Sequence, residues 1–557
     1  MLSHMVTSLS NLLWPWLPLT AVIVWLTKSY FNRGLNKYSG PRLASVTDWW
    51  RLYTVWTRKA HFRYLQLHEE YGDIVRLGPN TLSFSSPQAI KVIYGMNKKL
   101  GKVRSLLPHF LIHPFAICTS KQDGALNCSV QSDFYPVQMQ VSRGEILQSL
   151  FGTQDQEYHA RLRRAVSNAF SMSSIVQYEA RVSETAKVFL DRKEQLYASS
   201  STGPPTRCDF KQWLQFFAFD VITEVTYSKR VGFIDECRDV EGIIDWLDRI
   251  FQYMAPIGQM PILDKFLVKN PILILLNKYG FMDNSSGTAR FSKARMSERL
   301  QELADRKAAG LDSIKDRGDL LTMFLESQRE DQSGFFDDSR ILTMTTSIAL
   351  AGSDTTAISL SAVFYHLLRN PGALEKLRRE VEEAVESGVI ADAEVFSWAD
   401  AQKLPYLDAC VKETFRIHPA ISLNLERVTP PEGIDIAGEY IPGGTVVSCN
   451  PWVLQRRKGI FGDDVEVYRP ERWILDESSA SPEERTRLGE MKATMLHFGG
   501  GSRTCLGKHI ALLEMYKLVP SFLRKFDMSL TTDKEWDLEC LWFVKPTEFN
   551  VDIRLRR

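Results

Sequence analysis

The decapeptide FGGGSRTCLG places Cys505 in a stretch crowded with glycine near the C-terminus. Successive glycines allow the backbone to adopt positive φ and to approach a bulky partner closely. The segment from Lys508 to Phe526 has the pattern of a long amphipathic helix, whose first N–H groups would point toward the sulfur and favour the thiolate. A thiolate on a glycine loop before a helix suits an axial ligand of haem iron, and Arg503 adds a positive charge beside it.

Two other uses of Cys505 are less well supported by its neighbours. A phosphatase or protease nucleophile needs a nearby base or a phosphate cradle. The sequence CLGKHIA supplies only His509, four residues on. A metal site made of Cys505 and His509 lacks the further ligands that a protein metal site requires. Both alternatives are therefore weaker than a haem ligand.

The segment AGSDTT, from Ala351 to Thr356, lies in the middle of a helix predicted over Asp337 to Asn370. Gly352 alone costs about 1 kcal/mol relative to alanine in a helix interior, so its presence needs a reason. One interpretation is a close crossing with another helix, which requires small residues. The other is a groove beside a bound group, where Asp354 and Thr355 would move protons. The segment alone does not decide between them.

Charged residues in two further segments have the spacing of an ion-pair network. Glu413 and Arg416 in PYLDACVKETFRIHP are three residues apart and share one helical face. Taken alone, that spacing is typical of a surface ion pair. Arg472 in YRPERW could close a three-residue network with them. Such a network is costly when buried unless it is fully hydrogen-bonded, so it would mark architecture.

Composition excludes several other classes of protein. The 557 residues carry a net charge of +1, which argues against nucleic acid as the main partner. The eight cysteines include no C-x-x-C pair, so neither a zinc ribbon nor a thioredoxin motif is encoded. No repeats and no long linker divide the chain. Helical patterns dominate from Gln156 to Ser387, and short β-like runs occur over Asp73 to Ser86 and Ile434 to Cys449.

Four motifs together resemble one family. The pattern F-x-x-G-x-R-x-C-x-G is matched in full by Phe498, Gly501, Arg503, Cys505 and Gly507. A-G-x-D-T-T, E-x-x-R and P-E-R-W precede it in the order found in cytochromes P450. The chain is similar to that family over nearly its whole length, and most similar to its filamentous-fungal, pisatin-demethylase-like members. The resemblance implies a mainly α fold with small β-sheets, a helix-rich haem domain behind a single N-terminal transmembrane helix.

The resemblance also implies roles for individual residues. Cys505 would be the axial ligand of the haem iron, with Phe498 packed beside its sulfur. Asp354 and Thr355 would relay protons to bound dioxygen. Further contacts to haem are implied for Gly501, Arg503, Arg427, His159 and Arg163. A structural network behind the haem is implied for Glu413, Arg416 and Arg472. His159 stands where the family often has tryptophan.

The implied chemistry is insertion of one atom of dioxygen into a hydrophobic small molecule, as in fungal secondary-metabolite biosynthesis. Haem b (iron protoporphyrin IX) would be the cofactor and dioxygen the co-substrate. Electrons would come from NADPH through NADPH–cytochrome P450 reductase, with cytochrome b5 as a possible second donor, because the chain shows no dinucleotide-binding glycine fingerprint. A haem-thiolate isomerase or dehydratase is the main alternative, and a non-catalytic haem sensor is a third reading.

The N-terminus predicts a membrane anchor. Leu9 to Thr27 spans 19 residues without a charge, which is long enough to cross a bilayer. Lys28 and other basic residues follow this span and none precedes it, so the positive-inside rule places the rest of the chain in the cytosol. Residues 1–37 are therefore predicted to be an anchor with a basic flank, in the endoplasmic reticulum membrane, and residues 38–557 the haem-thiolate monooxygenase domain.

One segment departs from the family pattern. Residues 103–131, from Val103 to Gln131, separate NKKLGK from SDFYPV, two stretches that the resemblance leads us to expect joined directly. The segment has no clear hydrophobic period. Codons for its first and last residues can read GT at the start and AG at the end. Residues 103–131 are therefore predicted to be an insertion or a retained intron, with an ordinary loop as the alternative.

Overall fold

The structure is a computed structural model, and it describes residues 16–95, 130–142, 144–198, 206–282, 287–309, 318–476 and 478–556. Helices dominate these residues, with small sheets at the periphery, as the sequence predicted. The α-helices are α1 (Leu17–Tyr30), α2 (Trp49–Trp56), α3 (Ala60–Tyr71), α4 (Pro87–Ile93), α5 (Phe134–Val137), α6 (Gln156–Ser167), α7 (Met172–Tyr197), α8 (Phe210–Tyr227), α9 (Phe233–Glu236), α10 (Ile243–Gly258), α11 (Pro271–Lys278), α12 (Gly287–Ala308), α13 (Leu320–Glu330), α14 (Asp338–Arg369), α15 (Pro371–Glu386), α16 (Trp398–Ala401), α17 (Pro405–Ile417), α18 (Pro451–Leu454), α19 (Lys458–Phe461), α20 (Pro482–Thr494) and α21 (Lys508–Lys525).

The strands form one five-stranded sheet and several smaller ones. The strands are β1 (Ile74–Gly78), β2 (Thr81–Phe84), β3 (Val130–Gln131), β4 (Val141–Ser142), β5 (Glu145–Ile146), β6 (Thr206–Asp209), β7 (Arg427–Val428), β8 (Ile434–Ile436), β9 (Glu439–Ile441), β10 (Val446–Cys449), β11 (Phe526–Leu530), β12 (Leu538–Cys540), β13 (Val544–Pro546) and β14 (Asn550–Leu555). The main sheet has the order β1-β2-β10-β7-β3, with β2 and β10 parallel. A second sheet has the order β11-β14-β6, and β12 pairs with β13 as a hairpin.

Helix α14 runs through the centre of the molecule. Its predicted bounds are confirmed to within one residue at each end, because the signals that set them are local. The Asp337 side chain accepts a hydrogen bond from the Arg340 N–H and caps the start, and Pro371 begins the next helix. The helix packs against α8, α12, α15, α17 and α21. Among the described helices it is the one long and apolar enough to span a membrane, but most of that apolar stretch is buried inside the protein.

Two predicted segments fall partly outside the described residues. The first half of the predicted anchor, up to residue 15, lies outside the described residues. The second half belongs to α1. Most of the predicted insertion lies outside them too. Its last two residues, Val130 and Gln131, form β3 and pair with Val428 and Arg427 at the edge of the main sheet.

Candidate haem site

The loop between α20 and α21 presents Cys505 at the start of α21. Gly501 has φ +62°, and a Cβ atom there would lie 1.9 Å from the carbonyl oxygen of Tyr94, so only glycine fits. The N–H of Cys505 donates to the carbonyl oxygen of Phe498 at 2.8 Å, which closes the loop. The Phe498 ring packs edge-on against Phe415, with 5.1 Å between ring centroids. These contacts fix the position of the sulfur before any ligand binds.

The environment of the Cys505 sulfur differs from the sequence prediction in one respect. Its side chain is exposed on one side, but protein surrounds it on the others. Burial raises the pKa of the thiol, while the N–H groups of Gly507 and Lys508 and the charge of Arg163 lower it. The net shift is upward, so the helix start alone does not stabilise the thiolate. A metal ion at the sulfur would supply the missing positive charge, because a coordinating thiol is deprotonated.

Three arginines and a histidine gather near this loop. We call Arg163, Arg427 and Arg503 the arginine cluster. His159 is buried at their centre, and its pKa is lowered to about 3 by burial and then by the charges of Arg503, Arg163 and Arg427. The arginines bond to neutral oxygens: Arg163 to the Thr504 carbonyl at 3.0 Å, Arg427 to neutral groups including its own neighbour's carbonyl at 2.7 Å, and Arg503 to a loop carbonyl at 3.0 Å.

The arginine cluster lacks a counter-charge within the part of the chain that the structure describes. Arg503 has two buried nitrogens, Nε and Nη2, without a hydrogen-bond partner. Burial, together with the charges of Arg427 and Arg163, lowers the pKa of Arg503 to about 9. Half-buried guanidinium groups without a carboxylate require an anion. The two propionates of haem fit this requirement.

The AGSDTT segment in α14 combines both interpretations left open by the sequence. A Cβ atom at Gly352 would lie 2.8 Å from Cγ1 of Ile222, so the glycine permits a close crossing with α8. Ala351 and Thr355 lie on another face, where Ala351 is exposed and Thr355 is half-buried. The Thr355 hydroxyl donates to the Ala351 carbonyl at 2.7 Å. The helix is therefore tightly packed on one face and accessible on the next.

Asp354 lies on the packed face, away from Thr355. Its side chain is 2% exposed, and its Oδ1 accepts a hydrogen bond from Gln215 Nε2 at 2.5 Å. Its Oδ2 has no hydrogen-bond partner and lies 3.6 Å from Lys545 Nζ. The acid and the hydroxyl are thus neighbours in sequence without a direct contact, because consecutive residues on a helix point about 100° apart.

Glu413, Arg416 and Arg472, which we call the glutamate network, form the buried cluster that the sequence predicted. Glu413 accepts two bonds from Arg416, both 2.9 Å, and one from Arg472 Nε at 3.1 Å. Trp473 Nε1 and the Arg469 N–H also donate to this carboxylate, at 2.8 and 3.0 Å. The remaining guanidinium N–H groups reach backbone carbonyls of the 455–467 region, and Arg472 also donates to Oδ1 of Asp464 at 3.2 Å. All three side chains are nearly inaccessible to solvent.

Several residues that position the site could not be singled out from the sequence. Tyr94 touches Gly501 through its carbonyl, and its hydroxyl donates to the Leu425 carbonyl at 2.6 Å. Gln455 accepts from the N–H of Leu496, at the start of the cysteine loop. The contacts of Gln215 and Lys545 with Asp354 also could not be singled out from the sequence. Each joins segments distant in the chain, and no local motif marks it.

Comparison with known proteins agrees with this geometry. The sequence profile of the cytochrome P450 family matches residues 136–551. Cytochrome P450 monooxygenase cicH from Emericella nidulans is 38% identical over 94% of each chain. A cytochrome P450 monooxygenase from Aspergillus terreus is 35% identical over 92% of this chain and 94% of the relative, and asR2 from Sarocladium schorii is 34% identical over 94% and 92%. The chain therefore belongs to the cytochrome P450 family, as a fungal haem monooxygenase that uses dioxygen and electrons delivered from NAD(P)H by a reductase.

Proposed function

We propose that Cys505 ligates the haem iron through its sulfur and that the arginine cluster, with His159, holds the haem propionates. The observation that carries this proposal is the meeting of an exposed cysteine at a helix start with three guanidinium groups that form no ion pair in the described residues. When bound, the haem supplies the activation of dioxygen that inserts one oxygen atom into the substrate and releases the other as water.

Phe498 and Gly501 keep the sulfur in place in this proposal. The Phe498 carbonyl accepts a hydrogen bond from the Cys505 N–H, and its ring packs against Phe415, which ties the cysteine loop to α17. Gly501 lets the loop lie directly on Tyr94. The glutamate network holds the protein behind the haem and makes no contact with substrate.

Asp354 and Thr355 deliver protons in this proposal, from different faces of α14. The Thr355 hydroxyl uses its hydrogen for the Ala351 carbonyl, so its oxygen lone pairs remain available on the accessible face. Asp354 is buried and has one carboxylate oxygen without a hydrogen bond. Water or a side-chain rotation must therefore bridge the two groups during turnover, as in general acid–base catalysis.

The axial ligand is tested by Cys505→Ala. The variant is expected to lose the reduced-CO absorption band characteristic of haem thiolate, because it removes the sulfur that the loop before α21 presents. Cys237→Ala is the matched control, since Cys237 is also exposed but lies at the end of α9. The control should keep the band. A band retained in Cys505→Ala overturns the assignment.

Thr355→Ala tests proton delivery. The variant is expected to keep its haem and its reduced-CO band but to release more peroxide for each NADPH consumed, because the hydroxyl that steadies bound oxygen is lost. Peroxide and NADPH are measured together with purified reductase. Thr356→Ala, one position along the same helix and buried, is the control. An unchanged ratio in Thr355→Ala contradicts a relay through this residue.

For the substrate, we propose a hydrophobic intermediate of fungal secondary metabolism. The segments expected to line the pocket are residues 132–139, residues 418–427 and α14 around Ala351, which are mostly apolar. NADPH–cytochrome P450 reductase is the proposed electron donor, with cytochrome b5 as a second. The test is to measure product formed for each NADPH consumed, with metabolite extracts of the producing strain as the source of substrate. Consumption of NADPH in proportion to product supports oxygen insertion over the isomerase alternative.

For the location, we propose a single-pass anchor in the endoplasmic reticulum membrane with the haem domain in the cytosol. Supporting it is a group of exposed apolar side chains, which we call the apolar patch, between α10 and α12: Ile262, Phe266, Leu267, Val268, Ile272, Leu275, Tyr279, Phe281 and Met282. Such a surface fits the headgroup region of a bilayer. The apolar stretch just before the patch is not part of this surface, because Met254, Ala255, Pro256 and Gly258 are buried at the end of α10.

Truncation tests the anchor. Deleting residues 1–27 is expected to release much of the protein from membranes, and Phe266→Ser with Phe281→Ser should release the remainder. Deleting residues 1–37 instead should also weaken the fold, because the guanidinium of the buried Arg76 donates to the Tyr30 and Ser29 carbonyls at 2.7 and 2.8 Å. Glycosylation at Asn284 would show the opposite topology.

For residues 103–131, we propose an insertion or retained intron that the mature protein does not need. Its last residue, Gln131, is buried, and the adjacent Ser132 hydroxyl donates to Glu426. Deletion of residues 103–129 leaves these contacts in place and should preserve haem incorporation. Transcript sequencing across the region checks whether these codons are retained in mature messages. Messages that always retain these codons, together with loss of activity on deletion, would show that the segment belongs to the pocket.

A further inference from the structure

A cavity of about 430 Å³ lies where helix α1 meets the haem domain, and we call it the junction cavity. Its lining includes Tyr30 at the end of α1, Arg42 and Val46 from the segment before α2, and Arg76 from β1. A single water molecule needs only about 10–15 Å³ of such space. The junction cavity therefore has room for a group as large as a phosphate.

Arg76 gives the junction cavity a fixed wall. Its guanidinium donates to the Tyr30 and Ser29 carbonyls at the end of α1, at 2.7 and 2.8 Å, and to the Pro79 carbonyl at 2.8 Å. The Arg76 carbonyl lies so close to Gly40 that a Cβ atom there would be 2.2 Å away. These contacts join α1, the following segment and β1, so the lining keeps its shape without a ligand.

The two arginines of the junction cavity form no ion pair within the part of the chain that the structure describes. Arg76 is 1% exposed, and its partners are backbone carbonyls, which use four of its five N–H groups. Arg42 is exposed. Glu439, which accepts a hydrogen bond from the lining residue Tyr38, is already paired with Lys37 at 2.9 Å. Guanidinium groups in this state favour an anionic ligand.

The surface beside the junction cavity indicates where such an anion would come from. Helix α2 begins three residues after Val46, and it exposes Trp49, Tyr53 and Trp56 on one face, each by more than half. Tryptophan and tyrosine are favoured at the level of lipid headgroups. With α1 in the bilayer, the cavity at its end lies at the same level as the lipid phosphates.

Resting on the membrane location proposed above, we propose that the junction cavity binds the phosphate of an anionic phospholipid headgroup. Arg42 and the remaining N–H of Arg76 are the charged donors, and the Tyr30 hydroxyl and the Asn36 amide in the lining are neutral ones. A choline headgroup brings its own cation beside Arg42, so headgroups with a net negative charge are preferred. One lipid held here fixes the haem domain to the membrane at a defined point beside α1.

Binding of three soluble probes to the full-length protein in nonionic detergent tests this proposal, with calorimetry as the measurement. Dihexanoyl phosphatidic acid should bind, and dihexanoyl phosphatidylcholine should bind much more weakly because of its cation. Inorganic phosphate carries a similar charge to phosphatidic acid but lacks the glycerol and acyl groups. It should therefore bind more weakly than phosphatidic acid, which distinguishes a lipid from free phosphate as the source of the anion.

Three variants test whether the lining itself holds the phosphate. Arg42→Gln should weaken binding of phosphatidic acid about tenfold or more, as expected for the loss of a charged hydrogen bond. Lys28→Gln is the matched control, because it removes the same charge near the end of α1 from a residue outside the lining. It should bind like the parent. Val46→Phe fills the cavity without a change of charge and should also weaken binding. Haem content and melting temperature show that each variant is folded.

The outcomes separate the junction cavity from the membrane location on which it rests. Equal weakening by Arg42→Gln and Lys28→Gln would show a diffuse attraction to surface charge and overturn the site. Binding by Val46→Phe at the parental affinity would place the phosphate outside the cavity. If inorganic phosphate binds as tightly as phosphatidic acid, the lipid assignment is wrong. Glycosylation at Asn284 together with normal binding of phosphatidic acid would instead overturn the topology and leave the site in place.

Discussion

The arginine cluster and the glutamate network contain similar residues in opposite states. In the glutamate network, two guanidinium groups share the Glu413 carboxylate, and their other N–H groups bind backbone carbonyls and the carboxylate of Asp464. In the arginine cluster, three guanidinium groups contact only neutral oxygens within the described residues, and Arg503 leaves two buried nitrogens without a partner. Both groups are largely removed from water. They differ in whether their guanidinium groups have a full set of partners.

This difference separates architecture from binding. A buried charge network that is complete has nothing left with which to hold a ligand, and breaking it leaves uncompensated charge. An incomplete cationic cluster has a free-energy cost in the protein alone, and an anionic ligand removes that cost when it binds. The glutamate network is therefore expected to determine whether the chain folds, and the arginine cluster whether it retains haem.

The largest effect is expected at the glutamate network. Glu413→Ala leaves the buried Arg416 without a carboxylate and Arg472 with only Asp464, which costs about 3–5 kcal/mol in the free energy of unfolding. Little folded protein should accumulate, and any that does should unfold at lower urea concentration. The yield of haem-loaded protein and urea unfolding curves measure this.

Glu466→Ala is the control for this comparison. Glu466 pairs with Arg456 at 3.1 Å, but its side chain is 64% exposed. Water replaces the contacts of the exposed carboxylate, and the buried Arg456 keeps hydrogen bonds to the Trp452 and Ile417 carbonyls, so this variant should lose much less yield and stability than Glu413→Ala. If Glu413→Ala folded as well as Glu466→Ala, the glutamate network would not be the architectural element described above.

A smaller and different effect is expected at the arginine cluster. Arg503→Leu should leave the fold intact, because it removes a cation that has no partner in the protein alone, but it should weaken haem binding. Loss of a charged hydrogen bond costs about 1.5–3 kcal/mol, which corresponds to roughly a 10- to 100-fold change in affinity. Haem transfer to apomyoglobin measures the change.

Arg164→Leu is the matched control, because Arg164 is exposed on α6 next to Arg163. It should lose haem at the parental rate. An Arg503→Leu variant that unfolds before it loses haem would contradict the separation between the two clusters, because the arginine would then be part of the architecture.

The features predicted correctly from sequence are the local ones. The bounds of α14 follow from a capping aspartate and a proline, and the Glu413–Arg416 contact follows from helical spacing. The P-E-R-W motif predicted that Arg472 belongs to the network. Its contact with Glu413, at 3.1 Å, joins segments far apart in the chain and could not be derived from local spacing.

What the sequence could not provide depends on segments far apart in the chain. The need for glycine at position 501 comes from Tyr94, and the hold on Asp354 comes from Lys545. The upward pKa shift of Cys505 likewise depends on how much protein surrounds the sulfur, which outweighs the local effect of the helix start. Sequence patterns predict contacts within one helix or strand. These three effects instead depend on residues that only the tertiary structure brings together.

The smallest effect expected here is a pH dependence at His159, inside the arginine cluster. Burial and the three arginines lower the pKa of His159 to about 3 in the folded protein, from an ordinary value of 6.5. Below pH 6.5, His159 therefore binds a proton in the unfolded chain but not in the folded one. The free energy of unfolding then falls as the pH falls toward 3. At pH 5 the loss amounts to at most about 2 kcal/mol.

Urea unfolding at pH 7.5 and pH 5.0 measures this loss in the parent and in His159→Gln. Other buried histidines also titrate, so the difference between the two proteins is the relevant quantity, and the parent should lose more stability than the variant. Adding Arg503→Leu to the parent should shrink the loss, because the Arg503 charge is the largest contribution after burial. Bound propionates should shrink it too, since their negative charge favours the protonated ring. Equal losses in parent and variant would show that His159 does not experience the unbalanced charge that distinguishes this cluster from the glutamate network.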